Sequence, residues 1–121
     1  MQRGDISNVT APEIWVQAEL LIEKTGKILG SKYRCNPSAI DWLVRLSKKF
    51  RLLAVTLDMK KETHIRTALI EHIDVVGEDS VMLARKLDRD ENIAKVYVRK
   101  EDRSLFPMDT RVVVFSGWGE G

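Results

Sequence analysis

The sequence predicts an α/β fold: a three-layer, Rossmann-like open sheet of about four mostly parallel strands flanked by about four helices. Apolar runs too short for helices, at residues 52–56, 75–76 and 112–114, alternate with stretches whose apolar residues recur at helical spacing. Helix-starting residues stand ahead of several of those stretches. The chain's 121 residues, 44% apolar and 31% charged with seven glycines and three prolines, match one domain able to bury a core.

The first element is expected to be a helix over 10–30. Thr10-Ala11-Pro12-Glu13 reads as a capping box with Pro12 tolerated in the first turn. Ile14, Ala18, Leu21, Ile22, Thr25 and Leu29 follow at helical spacing, and Gly30 is placed to end the helix. A second helix starts at Asn36-Pro37 and carries Ala39, Trp42, Leu43, Leu46 and Phe50 on one face, with Arg45, Lys48 and Lys49 turned away. Residues 52–56 then read as a central parallel strand covered on both faces. Residues 60–73 return to helical spacing through Ile65, Ala68, Leu69 and Ile73, and Val75-Val76 makes a short strand closed by Gly77. A helix over 80–87, capped by Asp79 or Ser80, precedes strands over 94–98 and 111–115. No repeat or linker divides the chain, so residues 1–121 are read as one domain, with 116–121 a glycine-rich tail.

Net charge is +2, too small to imply a polyanionic partner by itself. Its distribution says more: residues 24–66 hold eleven Lys or Arg against three acids. No apolar run reaches the roughly 18 residues that span a bilayer, and no signal-peptide pattern opens the chain, so no membrane role and a cytoplasmic location are expected. The single cysteine, Cys35, excludes an internal disulfide and a thiolate zinc cluster. It reads as a free thiol beside Lys32 and Arg34.

Thr56 and Asp58 end the expected central strand just before Lys60-Lys61 opens a helix, the place where open α/β sheets bind ligands. A hydroxyl, helix amides and two ammonium groups there would cradle a phosphate; the competing reading has Thr56 and Asp58 only capping the helix. His64 and His72 lie eight residues apart on one helix, roughly 12 Å along its axis, too far to share a metal ion. Trp118 in the tail is read either as folded back on its own domain or as an anchor for a protein partner. Arg45, Lys48 and Lys49 are a partner-binding candidate, while the basic segment 24–66 leaves nucleic acid as a further possibility without any supporting motif.

The stretch from Pro37 to Ser80, with its helix, Lys-Phe-Arg turn, apolar strand ending in Thr56, helix and short strand, resembles the haloacid dehalogenase-like (HAD) phosphohydrolases. The resemblance implies that Thr56 matches a hydroxyl that hydrogen-bonds a phosphoryl group. It also implies an Asp-x-Asp at the end of an earlier strand, and a later pair of acids that holds magnesium. Asp5 is the nearest candidate nucleophile, without a second acid two residues on, and Glu101 and Asp102 are the candidate magnesium ligands. A rearranged possibility lets the final strand replace the first and puts Ser116 at the nucleophile position. With that set incomplete, the expected function is non-catalytic binding of a phosphate ligand or a protein, without cofactor. The alternative is a divergent magnesium-dependent phosphohydrolase.

Overall fold

A computed structural model describes residues 11–26, 33–108 and 111–118. Within them the chain runs β1 (Glu13–Gln17), a 3-10 turn (Ala18–Leu20), a hairpin of β2 (Ile22–Lys24) and β3 (Tyr33–Cys35), then α1 (Pro37–Ser47) and β4 (Arg51–Thr56). A second 3-10 turn (Met59–Lys61) leads into α2 (Glu62–Leu69) and β5 (Val75–Gly77). α3 (Ser80–Arg89), β6 (Ile93–Val98), a 3-10 segment (Lys100–Leu105) and β7 (Val112–Val114) complete it. Five strands form one sheet in the order β5-β4-β1-β6-β7, and every neighbouring pair is parallel. The class is Rossmann-like α/β, with five rather than about four strands in the main sheet and three rather than about four α-helices among the described residues.

The first element corrects the sequence reading. Residues 13–17 are not the start of a helix but the central strand, with Glu13 opposite Arg51 on one side and Ile93 on the other. Ile14, Trp15 and Val16 are consecutive and all buried, which a strand covered on both faces demands and a one-sided helix cannot satisfy. Glu13 does not close a capping box: its Oε2 accepts from Arg51 Nη2 at 2.7 Å and its Oε1 from Trp15 Nε1 at 2.8 Å. Thr10 and Gly30, the expected ends of that helix, lie outside the described residues. β7 forms the sheet edge beside β6, so the rearrangement that would seat Ser116 in the centre is also overturned.

From Asn36 onward local signals and structure agree. Asn36 Oδ1 accepts from Ser38 N–H at 2.9 Å, Pro37 occupies the first turn, and Ala39, Trp42, Leu43 and Leu46 form the buried face of α1. Asp79, rather than Ser80, caps α3 by accepting from Met82 N–H at 2.8 Å. α2 stops at Leu69, short of the expected 73. α1 and α2 pack with Ile14, Val16 and Ala54 on one face of the sheet; α3 packs with Trp15, Val55, Val96 and Val98 on the other. The alternation along β1 therefore feeds both cores, as it does along its neighbours β4 and β6.

Candidate functional site

In a parallel sheet wound in both directions from its middle, ligands enter at the carboxyl ends of the strands where the winding reverses. Here β4 and β5 extend to one side of β1 and β6 and β7 to the other, so the reversal lies between β1 and β6. β1 ends there in Gln17-Ala18-Glu19, β4 in Thr56, and β6 runs into Arg99. A cleft of about 250 Å³ opens at this point, bounded below by Glu19, Asp58 and Arg99 and closed in by Ile22, Glu23 and Tyr33 of the β2–β3 hairpin. The hairpin is tied down where Asn36 N–H donates to the carbonyl of Leu21 at 2.8 Å.

Two hydrogen-bonded units line the end of the sheet. Gln17 is 1% exposed and fully engaged: Oε1 accepts from the Arg99 backbone N–H at 2.9 Å, and Nε2 donates to Asp102 Oδ2 at 2.8 Å. The same Asp102 oxygen accepts from Arg99 Nε at 2.7 Å. Burial works against the Arg99 charge, yet the Asp102 hydrogen bond and the carboxylates of Asp102, Glu101 and Glu19 outweigh it and hold the guanidinium above its ordinary value. In the second unit the buried Thr56 hydroxyl donates to Glu19 Oε2 at 2.5 Å and accepts from Asp58 N–H at 3.1 Å. Glu19 Oε1 is buried with no hydrogen-bond partner among the described residues.

The structure brings Asp58 and Lys61 to the lining of this cleft, with Thr56 buried beneath Glu19 and Asp102 bonded to Gln17 and Arg99. Of the expected capping pair Thr56 and Asp58, only Asp58 caps: its Oδ1 accepts from Lys60 N–H at 3.1 Å at the turn into α2, while the Thr56 hydroxyl is taken by Glu19 and the Asp58 N–H. Lys61 Nζ lies 3.8 Å from Asp58 Oδ2, and Lys60 is exposed and not among the cleft-lining residues. Glu101 is exposed, with one oxygen 3.8 Å from Arg99 Nη1. Asp5 lies outside the described residues, as does Lys32. His64 and His72 are exposed. Burial first, and the Glu23 carboxylate second, push the Cys35 thiol up, so the expected pull of basic neighbours does not prevail.

Trp118 is folded back on its own domain. Its ring lies 5.5 Å from that of Trp42 and 4.6 Å from that of Phe115, and its carbonyl accepts from Arg45 Nη2 at 2.7 Å. Residues 119–121 lie outside the described residues. Arg45, Lys48 and Lys49 stand at the opposite, amino end of the sheet and share no cleft with Thr56.

Gln17, Glu19 and Arg99 are site residues that sequence reasoning missed, and for the first two a signal existed. The available signal was a contiguous buried-type run, Ile14-Trp15-Val16, ending in a polar residue and followed two positions later by an acid; helical spacing across 14–29 masked it. Among the described residues no three His, Cys, Asp or Glu side chains gather to hold a metal ion, and no helix is long and apolar enough to cross a membrane. Comparison with protein-family models, with curated proteins and with solved structures finds no match to this chain in any of the three.

Proposed function

We propose that this chain is a non-catalytic binding protein built on a core similar to that of the haloacid dehalogenase-like phosphohydrolases. The observation that carries the reading is Gln17. In the resemblance, an Asp-x-Asp ends the central strand, a hydroxyl ends the next, and acids follow a later strand across the crevice. The corresponding positions here hold Gln17-Ala18-Glu19, Thr56 and Glu101-Asp102. A carboxamide has neither the charge to hold a cation nor the nucleophilic lone pairs of a carboxylate. Both ends of this one are already bonded, and its donation to Asp102 occupies an acid that the resemblance would assign to metal.

Magnesium does not fit this donor set. Gln17 presents an N–H to Asp102, Arg99 donates to the same oxygen, and no triad of metal-binding side chains is assembled among the described residues. What the cleft offers a ligand is a balanced lining, Lys24, Lys61 and Arg99 against Glu19, Glu23 and Asp58, which suits a ligand that carries hydrogen-bond donors beside an anionic group.

A panel of phosphomonoesters with and without magnesium tests the reading. The purified chain is expected to release no phosphate above a Glu19→Ala blank. Magnesium-dependent turnover that disappears in both Glu19→Gln and Thr56→Val would overturn it and establish a divergent phosphohydrolase instead.

A further inference from the structure

A second concavity, of about 570 Å³, lies at the other end of the sheet, between the last turn of α1 and the amino-terminal half of β6. Its floor is apolar, built from Ile14, Leu46, Phe50 and Tyr97, and its rim carries Arg45, Lys48, Lys49 and Lys95. No carboxylate lines it, and none of the four cations is in an ion pair among the described residues. Three of the four follow from α1 alone, since basic residues complement a helix carboxyl terminus. Lys95 does not: it comes from a different strand, with its ammonium 5.3 Å from the centre of the Tyr97 ring. Two elements thus converge like charges on one apolar trough, an arrangement that self-repulsion disfavours unless an opposite charge arrives.

The trough is also a gap in the layering. On this face α1 and α2 cover β4 and β5, and Trp42 reaches across to Tyr97. Beyond that, among the described residues, the cover over β6 and β7 on this face comes from Phe115 and Trp118, whose rings pack against Trp42, and the trough lies beside it.

We propose that this trough docks an acidic amphipathic helix of a protein partner, its apolar residues on the Ile14–Phe50 floor and its Asp and Glu side chains against the four cations. The apolar floor is what distinguishes this occupant from nucleic acid. The Lys95 ammonium already lies over the Tyr97 ring, which leaves no free face for base stacking, and a phosphodiester backbone gains nothing from aliphatic side chains. A helix uses both parts at once. The inference does not rest on the reading of the cleft, because the two sites share no residue.

Selection of peptides of about 16 residues from a random display library against the purified chain, at low salt, tests it. Enriched peptides are expected to be rich in Asp and Glu, with apolar residues three and four apart. They should bind about tenfold more weakly to two folded variants: the charge-reversed Lys48→Glu/Lys49→Glu/Lys95→Glu, and Ala94→Trp, which fills the trough without altering charge. Arg45 is left intact in both because it holds the Trp118 carbonyl. Failure to enrich any peptide, enrichment without acidic bias, or equal binding to either variant would overturn the proposal. So would tighter binding of single-stranded DNA than of any peptide, or a dimer in sedimentation that the same variants dissociate, since each names a different occupant.

Discussion

Replacing Gln17 by leucine tests whether the carboxyl end of β1 is locked. Leucine occupies nearly the same space and removes both hydrogen bonds. The Arg99 N–H then loses its acceptor, at a cost of about 1–3 kcal/mol for a donor left unsatisfied. Asp102 keeps the Arg99 Nε bond and its side chain is 16% exposed, so water replaces the lost amide and this second bond adds about 0.5–1.5 kcal/mol. Extra apolar burial returns about 1 kcal/mol. The net expectation is a loss of about 2 kcal/mol, or about 8 °C in Tm for a domain of this length. Urea unfolding followed by far-ultraviolet circular dichroism should show a lower midpoint at an unchanged slope. Gln17→Glu keeps the acceptor for Arg99 but sets two carboxylates where a 2.8 Å donation now stands, and is expected to cost more than leucine at pH 7. A leucine variant within about 0.5 kcal/mol of the parent, or a glutamate no worse than leucine, would refute the locked network and with it the main argument against a reactive group at this position.

Trp118→Ala should lower stability by about 2–3 kcal/mol in the same assay, since it removes ring contacts with Trp42 and Phe115, and should leave the sedimentation coefficient unchanged; self-association lost without destabilisation would mean that Trp118 anchors a partner. Cys35 should react with a disulfide reagent near pH 8 more slowly than the same thiol in the urea-unfolded chain, and Glu23→Gln should speed it, because burial and then the Glu23 carboxylate disfavour the thiolate. As the folded thiol is shifted upward, its contribution to stability is intact below the ordinary thiol range and falls as pH rises through it toward the folded value; reaction as fast as in the unfolded chain would refute the shift.

Most elements after residue 35 were legible because their signals are local. Asn36 and Asp79 accept from amides two and three residues on, Pro37 fixes a first turn, and 52–56 is apolar enough to demand cover on both faces. β1 was not legible because what makes it a strand is non-local: its partners Arg51–Val55 and Ile93–Tyr97 lie some 40 and 80 residues away. The helical spacing of Ile14, Ala18, Leu21 and Ile22 arises from a strand, a turn and the start of a hairpin that all happen to send apolar side chains into one core. With β1 hidden, the end of β1 was hidden too. The site was therefore anticipated through Thr56, Asp58 and Lys61 after β4 and Asp102 after β6, while Gln17 and Glu19 belong to the unrecognised end of β1 and Arg99 was passed over. The basic rim was legible as residues but not as a trough, because Lys95 and Phe50 join it only through the sheet.

The chemistry at position 17 shows how the carboxyl end of the central strand is satisfied from within the chain. A carboxylate there would face Asp102 within hydrogen-bonding distance and Glu19 two residues on, and such a cluster of acids is tolerable only with a cation to neutralise it. The amide needs none: one end satisfies the Arg99 backbone, the other turns Asp102 from a repelling neighbour into an acceptor, and Arg99 completes the neutralisation from within the chain. An amide at this point thus leaves the strand end internally satisfied, with no ligand needed to neutralise it. Glu19 breaks the pattern. Its Oε1 is buried with no hydrogen-bond partner among the described residues, and the residue lines the cleft. That contrast, a fully bonded strand end beside one carboxylate oxygen without a partner among the described residues, is the ground on which the binding role is proposed.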